Sequence, residues 1–141
     1  MERWEQSLSQ AGHRVTAPRR AVMEVLSRAR TPLSPQEIFE RGRAIHANLG
    51  LVTVYRTLEL FEDLDLVRRV HQGEGCQGYL LATPGHCHVV VCRQCGQAVE
   101  FPGRKEMDAL IAQVEAKTGF RVDGHLLQLF GLCGGCQKNE E

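Results

Sequence analysis

Five metal-ligating side chains crowd into ten positions of the stretch GHCHVVVCRQCGQAVEF, residues 85–101: His86, Cys87, His88, Cys92 and Cys95. Further on, LCGGC supplies Cys133 and Cys136. CRQC at 92–95 and CGGC at 133–136 are both C-x-x-C, and each reads as a knuckle that puts two thiolates on one turn. Four thiolates complete the tetrahedral shell that structural zinc prefers, so the two knuckles are expected to share one ion. A redox dithiol is the rival, but that chemistry needs a βαβ setting, which the sequence lacks. The blander reading is four reduced, buried thiols. One C-x-x-C alone is unspecific; a pair of them in a short chain is not.

With Cys92, Cys95, Cys133 and Cys136 assigned to a closed site, His86, Cys87 and His88 are left over. Side chains alternate on an extended segment, so His86 and His88 share a face and Cys87 points away. Two imidazoles need further donors to hold a divalent ion, and His125, Asp108 and Glu100 are the candidates. A single histidine is more often an ordinary surface or core residue, and the weight falls on the His86/His88 pair. Taken alone, Cys76 and His71, in and beside the turn QGEGCQG, read as solvated, as do His13 and His46.

The elements between the knuckles must position these groups. VVV and QAVEF read as strands flanking the first knuckle. RKEMDALIAQVEAKTGF reads as a helix with Met107, Leu110, Ile111 and Val114 as its apolar stripe and Gly119 as its stop. RVDGHLLQLFGL reads as a strand leading to the second knuckle. Zinc would then staple the last strand to the first hairpin and close a domain of about 55 residues, a size at which a core alone is marginal.

The first half is free of cysteine and reads as four helices and a hairpin. Residues 2–11 form a short amphipathic helix ending at Gly12. Thr16 caps APRRAVMEVLSRA, with Pro18 in its first turn. Ser34, Pro35 and Glu37 in SPQEIFER make a capping box. In LVTVYRTLELFEDLDLV, the spacing of Val54, Leu58 and Phe61 buries one face and leaves Tyr55, Arg56 and Glu59 on others. LVRRV and GYLLA pair as a hairpin. This order is that of a winged helix-turn-helix, in which the last helix enters the major groove and the wing meets the backbone. A generic helical module shares the rhythm. Thr53, Tyr55 and Arg56 at the helix start favour DNA: Arg grips guanine edges, Tyr meets thymine methyls or phosphate, and Thr suits phosphate. Arg14, Arg19 and Arg20 are placed to add backbone contacts.

Bulk properties narrow the class. The chain has 141 residues, 43% hydrophobic and 24% charged, which suits an ordinary globular protein of one or two domains. No apolar run reaches bilayer length, so no membrane partner is expected. The opening MERWEQSLSQ is polar and acidic, unlike a signal or transit peptide, and a cytoplasmic location is expected. Six cysteines in such a chain argue for metal rather than disulfides. The first 70 residues carry 11 Lys+Arg against 9 Asp+Glu and the remainder 6 against 8, an asymmetry that permits nucleic-acid binding without demanding it.

Together, GHRVTAPRRAV, SPQEIFER, GLVTVYRTLELFEDLDLV, GHCHVVVCRQCGQAVEF and TGFRVDGHLLQLFGLCGGC resemble the ferric uptake regulator (Fur) superfamily of metal-dependent repressors, almost from end to end. The resemblance implies an α+β chain: a winged helix-turn-helix domain at 1–82, a hinge at about 82–85, and a small α/β dimerization and metal-binding domain at 83–141 with a four-cysteine zinc site. It implies a homodimer on a palindromic operator in double-stranded DNA, base contacts from Tyr55 and Arg56, and Arg14 near DNA. It implies structural Zn2+ on the four cysteines and a regulatory divalent ion on His86, His88, Asp108 and His125, either Zn2+ or Fe2+, with Mn2+ and Ni2+ also compatible. At the family's hinge site the sequence departs: expected ligand positions fall on Pro32, on the apolar or small residues 80–82, on Cys87 and on Val89, and only Glu100 survives. Cys76, Cys87 and His71 are the candidates to compensate, and their softness favours zinc.

The expected function is a metal-responsive DNA-binding repressor of metal homeostasis genes, iron or zinc uptake above all, and not an enzyme. Two other classes compete. A zinc-stapled protein-interaction module would bind no DNA. A zinc hydrolase would use His86, His88 and His125 with Glu100 as base, but there is no H-E-x-x-H and the winged half would stand idle.

Overall fold

The computed structural model describes residues 2–72, 77–83 and 87–139, with Cys87 by its backbone alone. It divides into two compact units, Met1–Ala82 and Thr83–Glu141.

The first unit contains α1 (Arg3–Gln10), α2 (Ala17–Arg28), α3 (Pro35–Gly42), α4 (Leu51–Asp63), β1 (Val67–His71) and β2 (Gln77–Leu81). Side-chain caps start α2 and α3. The Thr16 hydroxyl accepts the Arg19 N–H at 3.3 Å, and Ser34 and Glu37 exchange hydrogen bonds of 3.1 and 3.0 Å. Val54, Leu58 and Phe61 are fully buried along α4, as their spacing predicts, and Phe61 meets Trp4 edge-on with ring centroids 6.3 Å apart. A Schellman turn ends α4: the Leu66 N–H reaches the Phe61 carbonyl and the Asp65 N–H the Glu62 carbonyl. Asp65 takes the left-handed conformation (φ 57°) usually given to glycine there. β1 and β2 pair antiparallel, Val67 opposite Leu81. Leu33 joins this hairpin as a further rung, exchanging N–H···O bonds of 2.9 and 2.7 Å with Tyr79. The approach is close: a Cβ on Gly78 would lie 2.8 Å from Pro32 Cβ.

The second unit contains β3 (Cys87–Cys92), β4 (Ala98–Pro102), α5 (Arg104–Thr118), β5 (Gln128–Gly131) and α6 (Gly134–Lys138). Its sheet runs β4-β3-β5, with β3 antiparallel to β4 and parallel to β5. Gly119 stops α5 in the left-handed region (φ 77°). Two sequence expectations need correction. The strand expected over 121–132 is confined to Gln128–Gly131, and residues 119–127 carry no regular structure, because Asp123 and Gly124 interrupt any ladder. The apolar stripe of α5 is not core either. Met107 is buried, but Leu110 and Val114 are exposed, as are Val99 on β4 and Leu129 and Phe130 on β5.

Candidate metal centre and nucleic-acid interface

The parallel pairing of β3 with β5 places Cys92 opposite Gly131 and so carries the second knuckle beside the first. The Arg93 N–H donates to the Gly131 carbonyl at 2.8 Å and extends that register into the turn. The first knuckle is folded around Cys92. The Cys95 N–H donates to its Sγ at 3.5 Å, and Gly96 adopts φ 81° to turn the chain into β4. In the second knuckle Cys133 is the N-cap of α6, its Sγ accepting the Cys136 N–H at 3.4 Å. The two knuckles are linked directly, because the Cys133 N–H also donates to Cys92 Sγ, at 3.4 Å.

All four sulfur atoms lie within 4.8 Å of one another, and all four cysteines are free thiols. The Cys95 and Cys133 sulfurs are 3.8 Å apart. A disulfide would bring them to about 2.05 Å, whereas a tetrahedron with Zn–S bonds of about 2.3 Å has edges of about 3.8 Å. The electrostatics suit the same ion. N–H donors from Cys95 and then Cys133 pull the Cys92 thiol down to about 6. The Cys133 sulfur beside it and then burial push Cys136 up to about 12. Hydrogen bonding thus favours the thiolate at Cys92, while elsewhere the cluster keeps protons that a cation would displace. Geometry and donor set together make this a structural zinc site.

The second candidate set is only partly brought together. His88 is buried on β3, 5% exposed, with its ring centroid 5.3 Å from that of His125 and 5.9 Å from that of Phe101. A Cβ at Gly103 would stand 3.0 Å from His88 Cδ2, so that glycine leaves room for the imidazole. His125 lies in the irregular 119–127 segment rather than in a strand, and Asp108 is exposed on α5. Among the described residues, Cys92, Cys95, Cys133 and Cys136 form the only group of three or more metal-ligating residues with donor atoms within 4.8 Å, so Asp108 does not close on the two histidines at that spacing. Glu100 sits mid-strand on β4, and its carboxylate accepts the Thr83 N–H at 3.1 Å and hydroxyl at 3.0 Å. His71 is exposed at the end of β1. His86, Cys76, the side chain of Cys87 and most of the expected hinge lie outside the described residues.

On the first unit, burial of Val54, Thr57, Leu58 and Phe61 aims the opposite side of α4 outward. Thr53, Tyr55, Arg56 and Glu59 are all exposed on it, and so is Val52, which sequence reasoning passed over although it stands three and four residues before Tyr55 and Arg56. Gly50 opens the helix with no side-chain cap, and there is no acidic residue in the first turn. Arg14 is exposed, and its carbonyl accepts the Arg19 guanidinium at 2.7 Å. Arg20 is instead engaged with Glu5 at 3.1 Å and with the Trp4 ring. A latch between wing and helix had no signal in the sequence: Arg69 of β1 pairs with Glu62 of α4 at 2.8 Å and stacks over Tyr79 of β2.

Among the described residues, no helix is long and apolar enough to cross a membrane. Comparison with known proteins gives one consistent answer. The Ferric uptake regulator family model matches residues 10–130. The ferric uptake regulation protein of Campylobacter jejuni is 33% identical over 144 aligned residues, covering 99% of this chain and 90% of the relative. The peroxide operon regulator of Bacillus subtilis is 31% identical, covering 96% of this chain and 92% of its own. The solved structure of the Helicobacter pylori ferric uptake regulator Fur, described with three functional metal binding sites, superimposes with a TM-score of 0.68 at 27% identity, covering 99% of this chain and 92% of that one. On the family match and on these relatives, the chain belongs to the ferric uptake regulator family.

Proposed function

We propose that this protein is a homodimeric, metal-responsive transcriptional repressor of metal uptake genes, iron or zinc, working in the cytoplasm. The first unit reads DNA, the second dimerizes and holds metal, and a hinge at about 82–85 joins them. The observation that carries this reading is the presence in one chain of two different ligand sets: a closed tetrathiolate cluster and, separate from it, the buried His88 beside the exposed His125.

The tetrathiolate site fills the coordination shell of zinc and leaves no position for a substrate, which suits structure and not catalysis. His88 and His125, with His86 and Asp108, are the proposed regulatory ligands, a nitrogen and oxygen set suited to Zn2+ or Fe2+ and also to Mn2+ or Ni2+. His125 lies in an irregular segment that such ligation would order, whereas His88 is already held by β3. Glu100, whose carboxylate accepts the Thr83 N–H, is a further proposed ligand, as are Cys76, Cys87 and His71. The DNA-reading group is Thr53, Tyr55 and Arg56, with Arg14 and Arg19 on the backbone. The exposed apolar residues Val99, Leu110, Val114, Leu129 and Phe130 supply the dimer face. Repression follows if the ligated dimer presents its two α4 helices about 34–36 Å apart, one turn of duplex, and if the ion binds that state more tightly than the other.

A mobility-shift assay tests the reading. After mild chelation the protein should release promoter DNA, and it should rebind when Zn2+ or Fe2+ is restored. Binding that ignores metal removes the sensor, and failure to bind any promoter DNA removes the repressor. Elemental analysis checks the ligands: variants at His86, His88, Asp108 and His125 should each lose the second ion and keep one zinc per subunit.

A further inference from the structure

We propose that Val52 is a base-reading residue of α4, its two methyl groups packing against the C5-methyl of a thymine in the major groove. The inference rests on the reading of α4 as the DNA-contacting helix and adds a residue and a chemistry to it.

The argument begins with burial. Among the described residues of the first unit, the large apolar side chains left exposed are Ile45, Val52 and Tyr55. Val52 is the most exposed of the three, at 62% against 42% and 51%. The fold does not use it, because the core side of α4 is formed by Val54, Thr57, Leu58 and Phe61. Its position is specific. Val52 stands in the first turn, and at the i, i+3, i+4 spacing it shares a face with Tyr55 and Arg56. Residues near the start of a recognition helix are those that reach base edges.

Chemistry then selects the target. An isopropyl group can neither donate nor accept a hydrogen bond, so it is blind to N7, O6, N6 and O4. The one apolar group that a base pair shows in the major groove is the thymine methyl. A β-branched side chain is held near a single χ1 in a helix, so the two methyls are oriented before docking and lose little freedom on contact. Arg56 beside it reads polar edges and anchors the register, which leaves Val52 to discriminate thymine from cytosine at a neighbouring step.

The test uses the full-length, metal-loaded protein. Duplexes are selected from a random pool, and the tightest is rebuilt with 2′-deoxyuridine at each thymine in turn, which removes only the methyl. Affinities are measured by fluorescence anisotropy for wild type and for Val52→Ala. At one thymine per half-site, wild type should lose roughly fourfold for each methyl removed. Val52→Ala should bind that thymine duplex more weakly by a similar factor and be indifferent to the uracil exchange. If the two penalties multiply independently at every thymine, the proposal is overturned while the DNA-binding reading stands. If wild type selects no duplex at all, both fall. Val52→Ala should melt with wild type, since the side chain is exposed.

Discussion

The first unit buries Phe61, Leu8, Ile38 and Leu58 to 1% exposure or less, and they share one continuous core with Trp4, Val22 and Val25. In the second, the buried apolar residues among those described are Val89, Val91 and Met107, alongside Cys92 and Cys136 of the metal cluster. Leu110, Val114, Val99, Leu129 and Phe130 of that unit face outward. One unit is therefore held by packing within itself. The other buries little within itself, gathers four cysteines at one end of its sheet, and leaves exposed the apolar residues we propose a second copy of the chain covers. On the proposed division of labour, a DNA-reading head must keep its shape whether or not the repressor is active, whereas a sensing and dimerizing module has to stay responsive, and the two modes of packing suit those duties.

The contrast is tested most severely at the zinc site. Stripping the ion with a strong chelator, or substituting Cys136→Ser, should unfold the second unit and spare the first, since structural zinc contributes about 10–16 kcal/mol of apparent binding energy. Amide hydrogen exchange resolved by segment would show this, and continued protection of α5 and β3 without metal would contradict it. Reloading should release protons, because Cys136 and Cys95 are pushed above the ordinary thiol range. Zinc affinity should therefore rise with pH, as protons compete less for the sulfurs. The reciprocal experiment is Phe61→Ala, expected to cost the first unit about 3–5 kcal/mol. Thermal melting should register that loss while zinc content stays at one per subunit. A drop in zinc would mean that the two units are not independent. Next in size is Leu110→Asp on the outer side of α5. It should raise the dimer dissociation constant roughly 30-fold or more, the scale of an interface hot spot, with the monomer's circular dichroism unchanged. Sedimentation of an undiminished dimer would move the interface elsewhere. The smallest effect expected is from Ser34→Ala, about 1 kcal/mol for loss of the cap, confined to melting of the first unit.

The same contrast explains what could be read in advance. Local rules located the first unit: Thr16 and Ser34 announce helix starts, the 54/58/61 spacing fixes the buried side of α4, and the turn residues after Val70 separate the strands of the wing. The C-x-x-C spacings likewise announced the zinc site, because coordination geometry is local to each knuckle. What escaped is non-local. Nothing near Val90 signals that Leu129 will lie beside it in parallel, since parallel partners share no turn. LLQLF is an apolar, strand-like run, yet only its last residues pair, because Asp123 and Gly124 precede it. The α5 stripe looked like core because periodicity records which side is apolar, not whether the covering surface belongs to the same chain. At the second candidate set, His88 and His125 could be nominated by residue type, but their approach depends on an irregular segment that obeys no periodicity.

The Cys133 N–H donates to a sulfur 41 residues earlier in the chain, so the cluster can close only once both knuckles have been made. Cys92 and Cys95 leave the ribosome well before Cys133 and Cys136, while the winged unit, already complete, is free to fold first. An ion met early has only half its ligands, and the β3–β5 pairing that brings the other half must wait for the intervening helix. Tight loading of zinc is thus a late event, open only to chains translated through the second knuckle, and an interrupted chain carries the first compact unit with half a metal site.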